Sequence, residues 1–70
     1  MNTLRTYLDT HNITIFDFAA SVGLTRQAVH KWLRGDSMPT PVNLYTVHKK
    51  HPELDVVAMV CEIAKNIIGQ

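Results

Sequence analysis

Residues Thr14 to Arg34 read TIFDFAASVGLTRQAVHKWLR. The spacing predicts two short helices that meet at Gly23. Thr14 opens the first: its hydroxyl can accept the backbone N–H three residues on, and Asp17 stands where a capping-box acid belongs. Asp17 also suits the positive end of the helix dipole. Phe18, Ala19 and Val22 form an inward face, with Ala19 small enough to let a second helix cross closely. Gly23 can take the left-handed conformation that ends a helix in a tight turn, and Leu24 drops back into the core. Thr25 caps the second helix. Val29, Trp32 and Leu33 follow i, i+3, i+4 and face inward, while Arg26, Gln27, His30, Lys31 and Arg34 face out. Gly35 closes it, and Asp36-Ser37-Met38-Pro39 is a turn.

The outward side chains are all long or polar. Arginine forks onto the major-groove edge of guanine, and glutamine pairs bidentately with adenine. The net charge of the 70 residues is only +1, but its distribution is uneven. Arg5 faces Asp9 and Asp17 in the first 22 residues, whereas Thr25 to Gly35 holds Arg26, His30, Lys31 and Arg34 with no acid. Basic charge gathered on one helix is a nucleic-acid signal that the overall charge does not show. The bland reading of the same pattern is a solvated helix face.

Outside this stretch the pattern predicts three more helices. Met1 to His11 carries Leu4, Tyr7 and Leu8 at helical spacing, capped by Asn2 or Thr3 and stopped at Asn12, with Arg5 and Asp9 paired i, i+4. A helix opened by Thr40 or Pro41 runs to about Lys50, its apolar face drawn from Val42, Tyr45, Leu44 and Val47, and His51-Pro52 ends it. Pro52 then serves as a first-turn residue of the last helix, with Glu53 and Asp55 near its positive end and Gly69 closing it. Val56, Val60, Ile63 and Ile67 make its stripe, widened by Val57, Ala64 and Ile68. A β-hairpin is the alternative for this β-branched segment, giving an α+β chain. No turn signal interrupts Leu54 to Lys65, and alternation fails at Val56-Val57 and Met59-Val60, so the helix is preferred. The expected architecture is therefore all-α: one compact five-helix domain over residues 1–70, with the helix-turn-helix at 14–34 and a packing segment at 52–70.

Helix, alanine, glycine turn, apolar residue, then valine and tryptophan: Ala19, Gly23, Leu24, Val29 and Trp32 resemble a helix-turn-helix. With a helix before it and another after Trp32-Leu33-Arg34-Gly35, the chain is similar to the phage Cro repressors of the lambda-repressor-like superfamily, chiefly over Thr14 to Thr40. The resemblance implies a second motif helix in the major groove and the first lying across the backbone. It implies base or adjacent phosphate contacts from Thr25, Arg26, Gln27, His30 and Lys31, and backbone contacts from Arg34, Ser37 and Thr40. Where the family often has a polar residue, commonly Gln, this chain has Ile15 followed by Phe16; Thr14 and nearby free N–H groups are expected to take over that phosphate. Trp32 can stack on a base, but its spacing with Val29 makes it core.

A chain this small buries only about 60% of its unfolded surface, and such domains often recruit a second subunit. Val56, Met59, Val60, Ile63 and Ile67 are the expected homodimer interface, which would set two copies on half-sites of a pseudo-palindromic operator in double-stranded DNA. The implied role is a sequence-specific transcriptional repressor acting in the cytoplasm of a bacterial host, on the nucleoid. The competing reading is a protein-interaction module such as an antitoxin or assembly subunit, which would give the third helix an apolar or acidic outer face. No nucleophile–base pair, carboxylate pair or phosphate loop points to an enzyme. His11, His48, His51 and Cys61 have no recognised metal spacing, so solvated histidines and a core or interface thiol are expected, with no metal or other cofactor. Neither a signal peptide nor an apolar run of the roughly 20 residues that cross a bilayer is read here, and no small-molecule ligand is expected.

Overall fold

The computed structural model describes residues 2–69. Five helices follow in order: α1 Thr3–Thr10, α2 Ile15–Ser21, α3 Arg26–Arg34, α4 Pro41–Lys50 and α5 Val56–Ile68. No strand occurs among the described residues, so the all-α expectation holds and the hairpin alternative falls. The expected start of the first helix at Met1 lies outside the described residues.

Every helix begins on a short polar side chain that accepts a first-turn N–H: Asn2, Thr14, Thr25, Thr40 and Asp55. Such a cap satisfies one of the donors that a helix start leaves unpaired. The ends are equally local. At the α2 end, the Leu24 N–H reaches the Ala19 carbonyl at 2.9 Å and the Gly23 N–H reaches Ala20 at 3.3 Å. That double bond pattern needs a left-handed residue between, supplied by Gly23 at φ +71°. Asn12, at φ +58°, performs the same turn after α1, where the Ile13 N–H bonds the Leu8 carbonyl at 2.9 Å.

The core is built from Leu4, Leu8, Phe18, Ala19, Val22, Val29, Trp32, Val47, Leu54, Met59 and Ile63, with Ile15, Leu24, Leu33 and Leu44 packed at its edge. Ala19 is 2% exposed where α2 meets α3, so its small size is used as expected. The face expected of α4 is not the one buried. In α4, Leu44 and Val47 face the core, while Val42 and Tyr45 are 73% and 63% exposed. A helix that touches its neighbours along one arc cannot bury both pairs, and outward placement leaves the Tyr45 hydroxyl wet, with Lys49 Nζ 5.9 Å from its ring centroid.

α5 also starts later than the sequence implies. Pro52 to Asp55 is a turn; it plants Leu54 in the core at 3% exposure, and only then does Asp55 cap the helix through the Ala58 N–H at 3.0 Å. Glu53, set free of the helix, instead pairs with His11 at 3.1 Å. Along α5 the buried residues are Met59 and Ile63. Val57 and Ile68 stand 70% and 83% exposed, and Ile67 41%.

His51, expected to be solvated, is half-buried between α1 and α2. Its ring lies against Phe18, centroids 4.7 Å apart, and both its nitrogens are engaged. Ser21 Oγ donates to the Phe18 carbonyl at 2.7 Å, so it accepts from His51 Nε2 at 2.8 Å. His51 Nδ1 is then the acceptor for the Tyr7 hydroxyl at 2.9 Å. Burial, with the neighbouring His11, holds His51 below its ordinary pKa and neutral. Burial and the Glu53 charge push the Tyr7 hydroxyl up.

Candidate nucleic-acid interface

The Thr25 cap and the Gly23 turn fix where α3 starts, and Val29 and Trp32 fix its rotation. These two are 0% and 4% exposed, so the opposite side must face solvent. Thr25, Arg26, Gln27, His30 and Lys31 are all exposed there, as the sequence predicts. The 3.6-residue period sets residues 27, 30, 31 and 34 opposite 29, 32 and 33, while Arg26, on the flank of that buried stripe, is exposed because it stands in the first turn of α3. Lys31 and Arg34 also fall in the last turn, where the helix dipole favours cations.

Three exposed threonines share one geometry. Thr14, Thr25 and Thr40 each accept a backbone N–H, from Asp17, Ala28 and Asn43, at 3.0, 3.1 and 3.2 Å. The accepting oxygen keeps its own O–H, which remains a donor for a phosphate oxygen. Arg34 is exposed, and its Nε donates to Asp36 at 2.8 Å, leaving its terminal nitrogens open. Ser37 is half-buried in the loop that follows, where Pro39 is buried. Ile15 turns inward against the core, which explains why an apolar residue stands there.

The far end of α3 is braced by α5. Gly35 sits at φ +74°, and the Asp36 N–H closes back on the Lys31 carbonyl at 2.8 Å. The free carbonyls that remain are taken up from elsewhere: Asn66 Nδ2 donates to the Gly35 carbonyl at 2.8 Å, and Asn2 Nδ2 to that of Leu33 at 2.8 Å. A Cβ at Gly35 would come within 2.7 Å of the Asn66 side chain, so the approach requires glycine. One turn earlier in α5, Glu62 caps α1 from outside, accepting the Thr3 N–H at 2.8 Å and the Thr3 hydroxyl. Burial alone would raise the Glu62 pKa, but these two bonds hold it below the usual carboxylate range.

Sequence reasoning missed Asn66, Glu62 and His51 as positioning residues. It also missed the contact of Phe16, 62% exposed in α2, with Arg26, whose guanidinium carbon is 5.9 Å from the ring centroid. A signal was present: residues 15, 18, 19 and 22 complete the inward stripe of α2, and Phe16 falls outside it. Cys61 is exposed rather than core. Among the described residues no three His, Cys, Asp or Glu side chains come together to hold a metal, and no helix is long and apolar enough to cross a membrane.

Two helices crossing at a small residue, joined by a glycine turn, with the second presenting a cationic outer side, define a helix-turn-helix. The helix-turn-helix family model matches residues 4–50, well over half of the chain, and the protein belongs to that family. It is a family of DNA-binding domains, generally non-enzymatic, found in sequence-specific regulators. The matched span covers α1 to α4 and stops before α5. No curated protein and no solved structure matches the chain.

Proposed function

We propose that the protein is a sequence-specific transcriptional repressor of the Cro type. It binds operator DNA with α3 in the major groove and denies polymerase the promoter by occupying it. The observation that carries this reading is the outer side of α3: Arg26, Gln27, His30 and Lys31 are all exposed, with no acid among residues 25–35. Arg26 and Gln27, in the first turn, are the base readers, since the start of a recognition helix penetrates deepest. His30 and Lys31 contact bases or the adjacent phosphates. Thr14, Arg34, Ser37 and Thr40 contact the backbone and set the register.

The repressor acts as a dimer on a pseudo-palindromic site. The chain measures 30 × 24 × 20 Å, too short for one copy to read half-sites about 34–36 Å apart. The second copy covers the outer side of α5. Met59 and Ile63 drop out of that surface, because their own chain buries them; Val57 and Ile68 replace them beside the exposed Ile67 and the half-buried Val56 and Val60.

Selection from random duplexes followed by footprinting tests the reading. A two-fold symmetric site with protected half-sites one helical turn apart is the expected result, with transcription falling when that site overlaps a promoter. Indifference to duplex sequence at every salt concentration would overturn it. A clean monomer in sedimentation, with and without the selected duplex, would overturn the dimer.

A further inference from the structure

We propose that Phe16 is a positioning residue for base readout: its ring holds the Arg26 guanidinium and so presents that fork to a guanine. The inference rests on the reading of α3 as the base-contacting helix, and adds to it a residue from outside α3.

Phe16 has no structural use that would account for it. It is 62% exposed in the first turn of α2, while Ile15, Phe18 and Ala19 on the same helix pack into or against the core. Polar side chains are the ordinary occupants of such a position. With Ala20 and Leu24 it walls a shallow hollow between α2 and α3 that opens beside Arg26 and Gln27. Arg26 has no ion-pair partner among the described residues; what lies under its guanidinium is the Phe16 ring.

The choice of a ring over a carboxylate matters chemically. A guanidinium carries its five N–H donors in its own plane. An acidic neighbour takes those donors, as Asp36 takes the Arg34 Nε at 2.8 Å. An aromatic ring attracts the cation through its π-face and accepts none of the in-plane bonds. Arg26 is therefore restrained with its whole fork still free. Guanine N7 and O6 require that fork, two parallel donors in one plane. Restraint before binding also spares part of the entropy lost when a long side chain is fixed on a base. Arg34, held at its Nε by a carboxylate, is suited to a phosphate instead.

The experiment uses the full chain and the duplex selected for it, with thermal unfolding run on each variant. Arg26→Ala first identifies the base pair that Arg26 reads. Phe16→Ala and Phe16→Leu are expected to weaken binding to the selected duplex about two- to five-fold, the range of an exposed cation–π contact. Phe16→Trp, which keeps the π-face, is expected to restore affinity. On a duplex altered only at the Arg26 base pair, or in the Arg26→Ala background, Phe16→Ala is expected to change nothing. Equal losses on both duplexes, or full discrimination retained by Phe16→Leu, would overturn the positioning role while leaving Arg26 as a base reader. A flat preference profile unchanged by Arg26→Ala would remove the base-reading assignment and the proposal together.

Discussion

α3 and α5 are both amphipathic helices with one side buried, and they present opposite chemistry with the other. α3 turns out arginine, glutamine, histidine and lysine over a back of Val29 and Trp32. α5 turns out Val57, Ile67 and Ile68 over a back of Met59 and Ile63. A polar outer side needs no cover in water, so α3 stands free until a polyanion meets it. An apolar outer side near a small core is a liability, which the proposed second copy would remove. The two helices are nonetheless one device, because Asn66 of α5 closes the end of α3.

The sharpest way to break the comparison is to strike the back of α5. Met59→Ala is expected to cost about 2–5 kcal/mol of stability, measured by urea unfolding, because it leaves a cavity under a buried side chain. Next come the front side chains of α3. Arg26→Ala or Gln27→Ala is expected to cost about 1–3 kcal/mol of specific binding and to relax preference at one base pair, with the unfolding midpoint unchanged. Arg34→Ala should instead weaken binding to every sequence and lower the salt slope by about one, read from titrations at several salt concentrations.

On the front of α5, Ile68→Asp combined with Val57→Asp is expected to raise the dimer dissociation constant about tenfold or more, equivalent to about 1.4 kcal/mol. Sedimentation at graded concentrations reads this, and monomer stability should stay put. Thr25→Ala removes the α3 cap and is expected to cost about 1 kcal/mol in thermal unfolding. The smallest effect is the response to acid. His51 is neutral in the fold, so its contribution is complete above the ordinary value of 6.5 and is lost as pH falls through its lower folded pKa. Exposed His11, raised by its bond to Glu53, runs the other way: its contribution is complete below 6.5 and is lost as pH rises through the folded value. Unfolding midpoints between pH 7.5 and 5 should fall with acid, and His51→Gln should flatten that fall.

The difference between the two helices also explains what the sequence disclosed. Residues 14–34 are legible because each decision is local: a cap reaches three residues, a glycine turn spans six, and Val29 with Trp32 sets the rotation of α3. α5 obeys partners far away. Its apolar residues circle most of the helix, so no period alone could choose Met59 over Val57. Leu54 decides the start by claiming a place in the core, and only the packed chain shows that. Glu62 and Asn66, polar residues on an apolar helix, bond positions 59 and 31 residues distant. Among the candidate site residues, the exposed placement of Gln27, His30 and Lys31 follows from period and charge and that of Arg26 from its first-turn position, whereas the Phe16 contact joins two helices and is visible only when they cross.

The five side-chain caps bear on how the molecule comes into being. Each helix carries its own start signal within three residues, and three of the turns are closed by bonds spanning five. Little chain has to be looped before such pieces take hold, and small helical proteins of this kind reach their native state in microseconds to milliseconds. Newly made chains would thus be ready to act almost as soon as they leave the ribosome, a useful trait for a regulator whose effect depends on its concentration at a given moment.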